Sequence, residues 1–314
     1  MSDFDPGRLT DQETQQLLDR LMPSLVERLH RLRPWQANLF TPSSDTYRFD
    51  PTAPFMPYST CSGADFLHPD FHRIMGLIGL PRHYHRKLWE WVFIIHHLER
   101  LGMVQEGRRG LVFGVGQEML PAIFAGKGAL ITATDAPPEI GQDMGWQSSA
   151  EYASGLAAMP SGTLDRATFE GRVRWQICDM RDIDPALIEY DFCWSSCCFE
   201  HLGDLRAGMD FVIASVEKTL RIGGVAVHTT EFNLSSNTDT VDQGPTVIYR
   251  RQDIEHLIAE LRGRGHEVDD FRLAPDSLAI DGFVDTPPYA GPHLKLQLGQ
   301  YAATSVGLVI RRGR

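Results

Sequence analysis

Leu111-Val-Phe-Gly-Val-Gly-Gln-Glu118 reads as a buried strand that runs into a glycine turn and then a helix. Gly114 and Gly116 leave room for a ligand to approach the backbone where a Cβ would stand in the way. The helix opening near Met119 to Pro121 would aim unpaired N–H groups and the positive end of its dipole at that ligand. A second apolar run, Ala129-Leu-Ile-Thr-Ala-Thr134, ends at Asp135, nineteen residues past Gly116, a carboxylate suited to a ribose diol. These features describe a nucleotide-type pocket at the edge of a sheet.

Working outward, further apolar runs predict strands at 110–115, 130–134, 173–178, 191–195, 225–231, 266–273 and 305–311, with helices at 119–125, 148–158, 204–221 and 252–263. Alternation of this kind implies an α/β fold with a mostly parallel sheet covered on both faces. Upstream the pattern is different. Leu17, Leu18, Leu21, Leu25, Val26 and Leu29 give an amphipathic helix over 11–32, stopped by Pro34. Residues 34–57, rich in Pro, Ser, Thr and aromatics, would drape over the main domain. Short and long apolar helices follow at 71–78 and 82–101, and Gly102 and Gly107 mark a boundary. The expected organisation is a helical N-terminal cap over 1–104 and a ligand-binding domain over 105–314.

A net charge of -11 argues against a broad basic footprint for nucleic acid. No apolar run approaches the ~18 to 20 residues of a membrane span, and no signal peptide opens the chain, so a cytoplasmic protein is expected. Cys61, Cys178, Cys193, Cys197 and Cys198 are odd in number and mostly sit in strand-like runs, which suits reduced, buried thiols. Adjacent Cys197 and Cys198 lack the Cys-x-x-Cys spacing of a zinc site.

Gly-x-Gly after a first strand and an acid after a second would serve either a nicotinamide dinucleotide or S-adenosylmethionine (SAM). The third strand ends Ile177-Cys-Asp179-Met180, an acid and an apolar residue suited to an adenine amino group and ring. The fourth runs Tyr190-Asp-Phe-Cys-Trp-Ser-Ser-Cys-Cys-Phe-Glu-His-Leu202, and the fifth follows a tight turn in Leu220-Arg-Ile-Gly-Gly-Val-Ala-Val-His228. In that order and spacing, residues 105–312 resemble the class I SAM-dependent methyltransferases. The resemblance implies a Rossmann-like seven-stranded sheet, SAM as cofactor, and an antiparallel edge strand in the last strand pair. It also implies roles for individual residues. Gly114 and Gly116 would flank the methionine portion, Asp135 the ribose, Asp179 and Met180 the adenine, and Ser195 and Ser196 the fourth-strand edge. Two positions depart from the family pattern: Val112 stands where an acid is usual, and Glu118 replaces a third glycine. Glu118 would then receive the ammonium group of the methionine moiety, and Lys87 or Arg86 would reach its carboxylate.

Methyl transfer to a hydroxyl needs a base, sought on loops at the carboxyl ends of the fourth and fifth strands. His201, in Glu-His-Leu, is one candidate, with a structural helix-start role as its alternative. His228, Glu231 and Asn233 make a poor apolar core and read as acceptor-pocket residues. If the run is a strand throughout, His228 and Glu231 lie on opposite sides. The insertion 281–295 carries Asp285, Tyr289, His293 and Lys295 and would close over an acceptor, with His293 a further catalytic candidate. His228, Glu231 and His293 could also be read as a divalent site, but their spacing fits no metal motif and no metal is expected. No Asn-Pro-Pro-Tyr or Asp-Pro-Pro-Tyr follows the fourth strand, and the Asp285-Thr-Pro-Pro-Tyr289 run comes too late to stand for one. The expectation is therefore O-methylation of a small polar molecule, a sugar or secondary metabolite. The alternatives are N-methylation of a small amine, a NAD(P)-dependent oxidoreductase, and a SAM-binding protein without turnover. The partners expected are a small-molecule acceptor, with a homodimer left open, and neither nucleic acid nor membrane.

Overall fold

The apolar runs on either side of Gly114 meet at the centre of one sheet. The computed structural model describes residues 52–143 and 152–314, together with positions 10 and 16. The helix expected over 11–32, most of the 34–57 stretch and the start of the helix expected at 148–158 lie outside the described residues.

Seven strands, β1 (Arg109–Phe113), β2 (Leu130–Asp135), β3 (Val173–Ile177), β4 (Tyr190–Ser196), β5 (Leu220–Asn233), β6 (Glu267–Val268) and β7 (Tyr301–Arg311), lie in the order β3-β2-β1-β4-β5-β7-β6. The short strand Leu296–Leu298 adds an eighth against the start of β7. The first five are mutually parallel, and β7 runs antiparallel to both β5 and β6. Every residue of β4 is buried, as befits a central strand covered on both faces.

Alternation along β1 divides the core. Val112 joins Phe192, Trp194, Val225 and Val227 on one face, and Leu111 and Phe113 join Cys193, Ala226 and Leu308 on the other. The first face is covered by α1 (Pro69–Ile78), α2 (Arg86–Arg100), α3 (Leu120–Gly126) and α5 (Arg166–Arg172), the second by α6 (Leu205–Ala214) and α7 (Arg251–Gly263); α4 (Pro138–Asp143) is a short turn after β2.

Of these helices, α2 reaches closest to the carboxyl ends of the central strands through its first turn. Its Val92, Ile94 and Ile95 are weak helix formers, so burial rather than propensity holds it. His85 caps it, with Nδ1 accepting from the Lys87 N–H at 3.1 Å. Trp89 is wholly buried and donates its indole N–H to Asp65 at 2.8 Å. Phe93 lies so close to β7 that a Cβ at Gly307 would sit 2.2 Å from its ring. Gly307 thus sets how closely α2 approaches the sheet.

Several expectations are modified. The strand expected over 266–273 pairs only at Glu267–Val268, because Ser59 to Cys61 take the next positions along β7: the Gly307 N–H donates to Ser59 O at 2.7 Å, the Cys61 N–H to Ser305 O at 3.0 Å, and Thr60 bridges Val306. The helix expected over 204–221 ends at Ala214 and is followed by the π-turn Ser215–Thr219. Of the helix expected at 148–158, the described end holds only the 3-10 turn Leu156–Ala158. An unforeseen helix, α5, starts at Asp165, which accepts from the Thr168 N–H at 2.9 Å. Among the described residues no helix is long and apolar enough to cross a membrane.

Candidate functional site

A cavity of about 740 Å³ opens at the carboxyl ends of β1 to β4. β1 hands on to β2 on one side and abuts β4 on the other, so the cavity lies where the strand order reverses. With the antiparallel β7 between β5 and β6, that arrangement decides the architecture. The fold is that of the class I methyltransferases.

The glycine turn of this methyltransferase fold has Gly114 at φ 62° and Gly116 at φ 50°, both left-handed. A Cβ on Gly114 would come within 2.6 Å of the Cys198 sulfur. The turn is held by Asp135 at the end of β2, whose Oδ2 accepts from the N–H groups of Gly116 and Ala153, both at 3.0 Å. Burial pushes the Asp135 carboxyl up, and these backbone donors pull against it. Asp179 and Met180 line the same cavity beyond β3. Arg181 grips Asp179 at 2.7 Å and holds its carboxyl below the usual range. Glu118 also lines the cavity and accepts from the Trp194 indole N–H at 2.7 Å. Burial drives its carboxyl up to about 7, although the Trp194 bond and the Lys87 charge oppose the shift.

Behind this half lies a buried charged cluster at the start of α2. Glu90, wholly buried, accepts from Arg86 at 3.1 Å and from Ser305 through Oε1, and from Lys87 at 2.9 Å and Ser196 at 3.2 Å through Oε2. Burial alone would raise its carboxyl, but Lys87 and Arg86 win and hold it down at about 2. Arg86 also pairs with Glu231, so its guanidinium is committed to protein carboxylates. Lys87 binds the Ser196 carbonyl at 3.2 Å while lining the cavity.

The opposite wall comes from the insertion between β6 and β7. The His293 N–H donates to Tyr84 O, and the Arg86 N–H to His293 O, both at 2.8 Å, which stitches the insertion to the entry of α2. His293 Nδ1 lies 2.6 Å from Asp285 Oδ2. A carboxylate accepts, so Nδ1 carries the hydrogen, and the neutral form of the ring has its lone pair on Nε2. His85 stacks on His293 with ring centroids 4.9 Å apart, and burial followed by the His293 and Arg86 charges lowers its own pKa to about 4. His201 lines the cavity near Gly244 and binds the Pro245 carbonyl at 2.8 Å through Nδ1. Tyr289 bonds to Gln297 O and Lys295 to Asp276, so both point to their own loop.

Four residues expected at the site, His228, Ser195, Glu231 and Asn233, stand outside the cavity lining, Glu231 being buried against Arg86. β5 continues to Asn233, so strict alternation applies, and His228 faces the core between Phe199 and Phe211. Its ring nitrogens meet Ser195 at 2.8 Å and Ser215 at 3.0 Å, and burial lowers its pKa to about 3. His228 and Ser195 therefore form a hydrogen-bonded core pair outside the cavity lining. Asn233 organises its own loop through Ser235, Ser236 and Thr240. His228, Glu231 and His293 do not converge as a metal set: His228 faces the α6 side, Glu231 faces α2, and His293 stands in the insertion. Conversely, Glu90 and His85 take part without any motif to announce them, and Asp285 gains its place through His293. Glu90 has the spacing of an exposed helix charge, and nothing local marks it as buried.

No family model and no curated protein matches the chain. Solved structures do resemble it. A protein from Galdieria sulphuraria, provisionally named a sarcosine dimethylglycine methyltransferase, is 14% identical over 72% of this chain and 85% of that one, with a TM-score of 0.44. The 1,6-didemethyltoxoflavin-N1-methyltransferase of Burkholderia thailandensis, with S-adenosylhomocysteine bound, is 16% identical over 69% and 75%, at 0.40. Phosphoethanolamine N-methyltransferase 2 of Haemonchus contortus is 15% identical over 70% and 52%, at 0.41. Likenesses this distant decide neither reaction nor acceptor.

Proposed function

We propose that the protein is a SAM-dependent methyltransferase acting on a hydroxyl of a small polar acceptor. One observation carries the reading: a single cavity joins Gly114, Gly116, Asp135, Asp179 and Met180 to the wall bearing His293. Glycine at 114 is required by its left-handed backbone and by the Cys198 sulfur, which fills the space a Cβ would take and so packs the turn against the end of β4. Bound SAM would supply a sulfonium-activated methyl group for in-line transfer. Gly114 and Gly116 would admit the methionine portion, Asp135 would take the ribose hydroxyls, Asp179 and Met180 the adenine, and Glu118 the ammonium. Lys87, partly exposed to the cavity, would meet the carboxylate. Ser196 lines the fourth-strand edge. His293, held by Asp285, would accept the acceptor's proton at Nε2 as the new bond forms. His201 would contact the acceptor from the rim. Residues before 105 would serve as a cap, since His85 and Lys87 belong to the cavity wall. The five free cysteines and the charge of -11 suit a cytoplasmic enzyme with a small-molecule rather than a nucleic-acid partner.

Thermal unfolding tests the cofactor. SAM at 100 times its Kd is expected to add ~2.7 kcal/mol of stability, and NAD at the same concentration none. Stabilisation by NAD alone would make the oxidoreductase reading the better one.

Glu118 gives a second test. Its carboxyl, at about 7 in the free protein, is protonated below that pH and must lose its proton to meet an ammonium group. SAM affinity, measured by titration calorimetry, is therefore expected to fall about tenfold per pH unit as pH drops from 7 towards the ordinary carboxyl value. Glu118→Gln should flatten that dependence. An unchanged slope removes Glu118 from the methionine contact.

A further inference from the structure

Where β4 leaves the sheet, three ligand-type side chains from two elements converge on one point. Cys197 sits just past the end of β4, with φ 52°, and is one of the residues lining the cavity. Glu200 follows in the turn Phe199–His201, and Glu231 projects from β5. One ligand atom of each lies within 4.8 Å of the others. Both carboxylates are buried, at 1% and 3% exposure, yet Glu200 Oε1 and Glu231 Oε2 have no hydrogen-bond partner among the described residues. A buried, unsatisfied carboxylate oxygen is costly, and each of these two leaves lone pairs that a cation could take.

The neighbours account for the other valences. Thr230 donates to Glu200 Oε2 at 2.9 Å, Arg86 pairs with Glu231 Oε1, and the Cys197 sulfur lies 3.3 Å from Arg86 Nη1 and donates its hydrogen to Glu90 Oε1 at 3.0 Å, the proton a metal would replace. Each carboxylate is thus anchored through one oxygen and left with the other open. Three carboxyls, Glu90, Glu200 and Glu231, are gathered around the two cations Arg86 and Lys87, so the cluster can take a further cation.

We propose that Cys197, Glu200 and Glu231 bind a divalent ion of the zinc type. One thiolate and two carboxylates make a three-ligand set that selects a borderline-soft ion over magnesium or calcium. The fourth position of a tetrahedral ion remains for water or an oxygen of a bound molecule. Because Cys197 belongs to the cavity wall, that position communicates with the cavity. The site holds whether or not the protein transfers methyl groups.

Chelator-stripped, reduced full-length protein titrated with Co(II) is the test. One equivalent should produce a thiolate-to-cobalt charge-transfer band in the near-ultraviolet, abolished by competing Zn(II). Cys197→Ser should lose the band, and Cys198→Ser should keep it. Cys197→Asp, which retains a ligand oxygen, should bind Co(II) without the band, and Glu231→Gln should bind at least about tenfold more weakly. No band in the wild-type protein at saturating Co(II), or a band that survives Cys197→Ser, overturns the inference.

Discussion

His293→Ala is expected to lose about 10²- to 10⁴-fold in kcat with SAM affinity unchanged, if the acceptor is a hydroxyl. The expectation rests on the pairing of His293 with Asp285 at 2.6 Å, which fixes the hydrogen on Nδ1 and leaves Nε2 as the basic atom. Asp285 is buried and would stabilise the imidazolium formed as the acceptor's proton moves. The stacked His85, its pKa lowered to about 4, stays neutral and adds no opposing charge. Asp285→Asn should fall between wild type and His293→Ala, because it keeps the contact but loses the charge. The split between kcat and SAM affinity, from single-turnover kinetics and calorimetry, separates a base from a wall residue. A neutral amine acceptor needs no strong base, so full activity in His293→Ala would favour N-methylation over transfer to oxygen.

Glu90→Ala should cost about 3–5 kcal/mol in unfolding free energy, the scale for removing one partner of a buried ion pair. Glu90 is wholly buried and bonded to Arg86, Lys87, Ser196 and Ser305. Its loss leaves two cations behind it with fewer counter-charges and opens a gap between α2 and the sheet. Replacing the pair Glu90 and Lys87 together should cost less than the sum of the single changes. Urea denaturation measures both. A loss below ~1 kcal/mol for Glu90→Ala would mean the cluster is solvated and not structural.

The positions of the strands and their mostly parallel pairing were legible in sequence, because continuous apolar runs bounded by glycine or acid and alternating with helices have few other solutions. The Gly114 turn was equally legible: its need for a left-handed backbone is local. Ends were harder. The 266–273 run was cut short by Ser59 to Cys61, remote in sequence, which occupy the β7 edge beside Val306. His228 shows the limit most clearly. A histidine after a run of small apolar residues looks like a strand-end ligand, but β5 continues five residues past it, and the alternation that puts Glu231 towards α2 turns His228 into the core.

Local chemistry, then, determined the sheet, the glycine turn and the acids that follow β2 and β3, since each depends on residues a few positions apart. Tertiary structure alone decided which titratable groups face the cavity. His293 gains its partner by a loop closing on Asp285, Glu90 its burial with Arg86 and Lys87 by the seating of α2 on β7, and Cys197 and Glu200 meet Glu231 where β4 and β5 run side by side. Several of these partners are near in sequence, but their burial and direction are set by packing and strand direction, which no local spacing encodes.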